Sequence, residues 1–223
     1  MRFFQFFGLA VAGFLLSACQ SDSYRIKGNA TGLKDGDTLF ITTDLNAGIP
    51  SDTIIVNKEK FYSKGISDST QIAMIYQASH LDHNIVFFLE PGTINIELSD
   101  IPLKSRVSGT HTNNEWQQLN DTIYKYSMQI NNIMEKAFND TNPNANHEYE
   151  DKHVEELYKT LSKRVESIAI RNAENDLGYL ITTTFPEDIL SNKQRLGIVK
   201  KMPKSIRNRE EIKIIETMLS KTE

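Results

Sequence analysis

The 223 residues carry 25 Lys and Arg against 29 Asp and Glu, a formal charge of −4, with 39% hydrophobic residues, five His and a single Cys. A mildly acidic chain has no electrostatic reason to bind nucleic acid, and one thiol cannot form an intramolecular disulfide or a Cys-x-x-Cys redox pair. The length allows one large domain or two small ones, with a sizeable core.

The chain opens Met1-Arg2 and runs apolar from Phe3 to Leu16, broken by Gln5, Gly8 and Gly13, before Leu16-Ser17-Ala18-Cys19. A basic start, an apolar middle and small residues before a cut predict a secretory signal over residues 1–18. That run is shorter than the ~20 apolar residues that span a bilayer, and no later segment approaches it. Cys19 directly after Leu-Ser-Ala resembles a bacterial lipobox. The resemblance implies that Cys19 is acylated through sulfur and becomes the first mature residue. Small side chains at Ser17 and Ala18 fit a tight peptidase pocket, and two or three acyl chains hold far more firmly than one, at ~0.8 kcal/mol per buried CH2. Removing 18 of 223 residues leaves 205, and the loss of Arg2 brings the charge to −5. Residues 19–23 then form a lipidated tether of roughly 15 Å, at ~3.5 Å per extended residue. Asp22 is the one acid just after Cys19. Without a strong acidic signal for surface export, a periplasm-facing position is expected, at the outer rather than the inner membrane.

Residues 24–110 show the signals of short strands. Tyr24, Ile26 and Gly28 alternate with Arg25 and Lys27; "LKDGDT" supplies an Asp35-Gly36 turn, and "TLFITTD" follows, so the pair predicts a hairpin. "DTIIVN" and "KFYSKGI" flank a turn at Lys58 and Glu59. "QIAMIYQA", the apolar run "NIVFFLE", a Pro91-Gly92 turn, "TINIELS" and "KSRVSGT" complete about eight strands. Turn residues every eight to twelve positions predict an antiparallel β-sandwich or open barrel.

Residues 111–223 change period. Thr112 and Glu115 have capping-box spacing, and Trp116, Leu119, Ile123, Tyr126, Ile130, Ile133 and Phe138 mark one helical face. After the Asn-rich "NDTNPNANHE", a second helix carries Val154, Leu157, Leu161, Val165 and Ile168, so an antiparallel helical hairpin is expected. Shorter helices follow: "DLGYLITTTF", Pro186 to about Lys201, and Ser205 to Leu219. Residues 191–223 hold nine basic and four acidic side chains, which a solvated helix face explains more simply than contact with lipid headgroups or an acidic partner. The fold class is α+β, a sandwich followed by helices.

"YRIKGNATGLKDGDTLFI", "DTIIVNKEKFYSKG", "FFLEPGTINIEL" and "VSGTHTNNEWQQL" resemble the uncharacterised N-terminal domain of lipoproteins similar to the TlpA and ResA thiol-disulfide oxidoreductases. In that pattern Asp-Ser/Thr, apolar residues and Gly-Lys-Phe precede Leu-Glu-Pro-Gly and a Gly-Thr turn into helices. Two positions depart from it: Glu59 stands where the family has a turn glycine, and the sequence reaches Glu223 without the thioredoxin domain. The resemblance therefore implies a fold and an address but no catalytic residue.

Candidate chemistry is sparse. His80 and His83 in "SHLDHN", with Asp82 between them and His111 beyond, could offer zinc ligands, but the segment reads as a hairpin turn and surface histidines explain it. His147 and His153 flank acids that oppose a helix N-terminus. No GxSxG is present, and "GNATGLKDG" lacks the Lys-Ser/Thr end of a phosphate loop. Glu90 before Pro91-Gly92 could be a buried acid, although a Glu at a strand end usually points to water. The expected function is a lipid-anchored envelope module for binding or scaffolding, non-catalytic and without cofactor, whose partner could be a separate thioredoxin-like protein. The alternative is a metal-dependent or other hydrolase with a site between sandwich and helices.

Overall fold

The computed structural model describes residues 22–45, 49–140 and 148–219. Eight strands precede the helices: β1 (Ser23–Ala30), β2 (Thr38–Thr42), β3 (Asp52–Ile55), β4 (Lys60–Ile66), β5 (Gln71–Gln77), β6 (His80–Leu89), β7 (Gly92–Leu98) and β8 (Arg106–Ser108). They form two four-stranded sheets, β4-β1-β7-β8 and β3-β2-β5-β6. Their facing sides bury Ile26, Leu39, Ile41, Ile75, Phe87, Ile94, Ile96 and Leu98 almost completely, and each such side chain stabilises the fold by ~1.5–3 kcal/mol.

The expected strands form, but their partners differ in two places from the sequence-based pairing. β1 and β2 are not a hairpin. β1 lies inside the first sheet, antiparallel to β4 and parallel to β7, whereas β2 lies in the second. The connection through Asp35 and Gly36 is long enough to cross the ~10 Å between packed sheets, so the turn chemistry is present without the pairing. The hairpin turn expected over "SHLDHN" is confined to Ala78 and Ser79, ahead of the histidines. His80 to Asn84 belong to β6, where Gln77 pairs with His80 and Tyr76 with Asn84 across a bulge.

The turn at Lys58 and Glu59 does form, and both residues are left-handed, at φ 50° and 56°. The Glu59 carbonyl accepts from the Ala30 N–H and its carboxylate from the Gly32 N–H. The second bond gives the Glu59 side chain a task that a glycine could not perform. The chain passes here from one sheet to the other, β3 to β4, and closes one side of the sandwich.

Two glycines in the first sheet make room for aromatic rings. Gly28 stands opposite Phe61 and Gly65 opposite Tyr24. A Cβ on Gly28 would lie 2.0 Å from the Phe61 ring, and one on Gly65 2.5 Å from the Tyr24 hydroxyl. Each ring thus folds over a bare backbone and fills the end of the core.

α1 (His111–Phe138) and α2 (Glu148–Arg171) pair antiparallel, with Glu115 against Arg171 and Tyr126 against Arg164. α3 (Asp176–Thr184), α4 (Asn192–Val199), α5 (Lys204–Arg207) and α6 (Glu210–Leu219) follow. A second core forms among the helices around Leu119, Val165, Leu177, Ile181 and Ile198, and it includes Phe88 of β6. β6 is therefore buried on both faces, Phe87 in the sandwich and Phe88 under the helices, which accounts for its unbroken apolar run.

The basic C-terminal stretch is partly neutralised within the fold. Arg209 pairs with Asp176 at 2.6 Å and Arg207 with Glu216 at 2.6 Å. Buried Arg195 donates to the carbonyls of Thr182 and Phe185 at the end of α3, and burial pulls its guanidinium below the usual arginine range. No helix among the described residues is long and apolar enough to cross a membrane.

Two outcomes follow from this packing. Gly28→Val should destabilise by about 1–3 kcal/mol, since the backbone cannot move away from Phe61 without breaking its register; a urea titration reads the midpoint. Tyr179 is raised above the usual tyrosine value by burial and by Glu211, against the opposing charge of Arg209. Its stabilising contribution is present below the ordinary range near pH ~10 and is lost as pH rises through the raised value. Thermal melts should fall in alkali, and Tyr179→Phe should flatten that part of the profile.

Candidate binding surface

Among the described residues, the sequence-derived site residues do not assemble around a shared centre. Cys19 and His147 lie outside the described residues. His83 is buried in the β6 bulge with Nε2 3.4 Å from the Thr31 carbonyl oxygen. His111 is exposed in the first turn of α1, and His153 is exposed on α2, its ring 6.2 Å from that of Tyr149. For His80 the backbone alone is described, in β6. Among the described residues, no group of three or more His, Cys, Asp or Glu is placed to hold a metal ion.

Glu90 departs from the expectation that it points to water. It is 8% exposed, and its carboxylate accepts from the Thr112 N–H at 3.1 Å, the Thr112 hydroxyl at 2.7 Å and the Thr70 hydroxyl at 3.3 Å. A carboxylate from the end of β6 thus satisfies free donors at the start of α1, where its charge also complements the helix dipole. The predicted capping box between Thr112 and Glu115 is replaced by this contact. The helix begins two residues earlier, with Thr110 as N-cap instead of Thr112, and Glu115 turns instead to Arg171 at 2.7 Å.

The next residues of α1 extend the same union. Asn113 is fully buried; its Oδ1 accepts from the Phe88 N–H at 2.8 Å and its Nδ2 donates to the Phe88 carbonyl at 2.7 Å. One side chain therefore serves both backbone groups, as a neighbouring strand would. Trp116 Nε1 donates to the Val86 carbonyl at 2.8 Å, and Gln117 Oε1 accepts from the Val107 N–H of β8 at 2.9 Å. Positions 113, 116 and 117 share one helical face, so the first two turns of α1 cover the edges of both sheets.

Two of the open surfaces adjoin the sheets and the start of α1. Alongside β6 and α1 runs a groove of about 430 Å³, lined by Val86, Leu103, Trp116, Tyr124 and Met128 among others; Leu103 is 69% exposed. The outer face of the first sheet carries a wider concavity of about 840 Å³, lined by Lys27, Lys60, Tyr62, Asn95 and Arg106. The register sets its rows: Lys64, Arg25 and Thr93; then Tyr62, Lys27, Asn95 and Ser108; then Lys60, Asn29, Glu97 and Arg106. Five cations face one carboxylate there. Arg106 is held by Asp121 of α1 at 3.1 Å. Sequence reading recognised Arg25 and Lys27 as the outward side of a strand, but only the pairing of distant strands brings the cations together.

The α1 junction is open to a direct check. Asn113→Leu should cost about 2–4 kcal/mol, because both backbone groups of Phe88 lose their partner in a dry site. Amide exchange at Phe88 should accelerate along with the loss in chemical denaturation. Glu90→Gln should cost less than Glu90→Ala, since the amide oxygen keeps one of the acceptors.

Residues 24–116 match the model of a family described as Domain of unknown function (DUF4369). No curated protein matches the chain. The matched region ends at Trp116, so it takes in the helical turns that bind β6 along with all eight strands.

Proposed function

We propose that this protein is a lipid-anchored cell-envelope module, held through acylated Cys19 in a periplasm-facing position and acting as a non-catalytic binding or scaffold domain. The observation that carries the reading is the short distance between the lipobox-like Leu16-Ser17-Ala18-Cys19 and the first strand at Ser23. Three residues between them keep the sandwich against the membrane. The resemblance of the strands to the N-terminal domain of TlpA- and ResA-like lipoproteins supports the same address. It also suggests a separate thioredoxin-like protein as partner.

The groove between β6 and α1 is suited to a protein partner. Leu103, Tyr124 and Met128 are exposed there beside Trp116, and aromatic and Met side chains are enriched at the centres of interfaces. The hydrolase reading required His80, His83, His111 or Glu90 to converge with a further acid. Glu90 instead caps α1 and His83 packs against Thr31, which favours the binding module.

Labelled palmitate fed to expressing cells should appear on the wild-type chain and disappear in Cys19→Ser; equal label on both would refute the anchor. A photo-crosslinker at Tyr124 should capture a reproducible envelope protein that a crosslinker at exposed Lys213 does not. Identical patterns at the two positions would count against the groove.

A further inference from the structure

We propose that the outer face of the first sheet is a docking surface for anionic lipid headgroups, and that it tips the sandwich onto the leaflet that holds the anchor. The inference rests on the anchored reading above and adds to it an orientation and a lipid preference.

The charge on this face is unevenly distributed. Near the end of β1 remote from the anchor, Lys60 and Arg106 share their row with Glu97, and Arg106 is paired with Asp121. Toward the anchor, Arg25, Lys27 and Lys64 stand on adjacent strands, Arg25 directly across from Lys64. All three are exposed, and none of them forms an ion pair with a carboxylate among the described residues. This is a net cationic patch on a protein whose overall charge is negative.

Apolar side chains accompany the cations. On β4, Tyr62 is 51% exposed and Ile66 82% exposed, on the same outward side as Lys60 and Lys64. Ile66 is the cross-strand partner of Ser23, four positions after Cys19. Among the described residues, the most exposed aliphatic side chain of the sandwich therefore stands opposite the first residue of β1. Amphipathic rings and snorkelling lysines suit the membrane–water boundary, where one end is wet and the other apolar. Asp22 and Asp68 are exposed at this same end, and they limit how closely its rim approaches an anionic surface. The cationic rows lie behind the rim.

The tether sets the range. The four steps from Cys19 to Ser23 extend roughly 15 Å at most, against a Debye length of about 10 Å at ~0.1 M salt, so the anchored end of the patch stays where headgroup charge is felt. Each basic residue near such a surface contributes enough to change partitioning about fivefold, and three together about a hundredfold. A soluble anionic polysaccharide would meet the same charges, but Tyr62 and Ile66 beside the anchor favour lipid.

The test uses the full chain, purified from membranes and reconstituted into vesicles of phosphatidylcholine alone or with phosphatidylglycerol. A polarity-sensitive dye is placed on Tyr62→Cys or, as a remote control, on Glu135→Cys of α1. Emission from position 62 should shift blue in phosphatidylglycerol vesicles, return in high salt, and stay unshifted when Arg25→Glu, Lys27→Glu and Lys64→Glu are combined. Position 135 should not respond. An unchanged signal at 62, a shift that survives the triple reversal, or binding to dextran sulfate without preference for phosphatidylglycerol would overturn the proposal. The mass of the Cys19 peptide is read from the same sample, so a missing acyl chain marks failure of the anchor alone. In that case parent and triple variant are sedimented with preformed vesicles, where the expected difference is about a hundredfold and equal binding refutes the docking face.

Discussion

The rest of the structure depends on how the open edge of β6 is satisfied. Phe87 and Phe88 are both fully buried, on opposite faces of the strand, so water cannot reach the backbone that joins them. A buried peptide group left without a partner costs about as much as several good contacts gain. Among the described residues no ninth strand comes alongside; α1 supplies the partners from side chains, Asn113 to both groups of Phe88 and Trp116 to Val86. In return Glu90, at the end of the strand, satisfies the first turn of the helix. Strand edge and helix start are each incomplete alone, and each supplies what the other lacks. This reciprocity fixes the angle at which α1 leaves the sandwich, and through α1 the placement of every later helix. It also removes an exposed edge that could template aggregation.

The opposite side of the sandwich solves the same problem covalently. There the chain crosses from β3 to β4 through a two-residue turn at Lys58 and Glu59, and both residues adopt a left-handed backbone that costs roughly 1–2 kcal/mol each outside glycine. The Glu59 bonds to Ala30 and Gly32 offset part of that cost. With one side closed by chain and the other by helix, the two sheets are held face to face. The glycines opposite Phe61 and Tyr24 then let the aromatic rings fill the ends.

The elements were legible in the sequence because each rests on a local signal: alternation for the strands and a period of about three and a half for α1 and α2. Their pairing was not, since nothing local in "YRIKGNA" distinguishes a strand bound to β2 from one bound to β4 and β7. The same limit explains Glu90 and Thr112. A Glu before Pro-Gly reads as solvent-facing, and Thr112 with Glu115 reads as self-capping, because the competing contact joins positions 22 residues apart. His80 and His83 looked like a turn because polar residues interrupt the pattern there, when the interruption is a bulge within β6. The cationic face was invisible for a related reason. Its five cations occupy outward positions on three strands, β1, β4 and β8, and the antiparallel pairing of β1 with β4 and its unusual parallel pairing with β7 align their rows.

The asymmetry of the two sheets is what converts this fold into a candidate binding module. The second sheet gives its outer surface at β5 and β6 to the helices, as Ile72 and Phe88 show by joining the helical core. The first sheet keeps most of its outer surface uncovered among the described residues, with Arg106 held by Asp121 of α1, and apart from Tyr62 and Ile66 the residues there are polar or cationic. A sheet face that merely awaited a missing layer of this protein would carry the aliphatic pattern of β6. The face that is found tolerates water and favours anions, and it begins at the strand nearest the lipobox. In the proposed reading the anchor would precede β1, a strand of the uncovered face, whereas the apolar groove beside α1 lies at the edge of β6. A membrane and a protein partner could be engaged together without competing for the same surface.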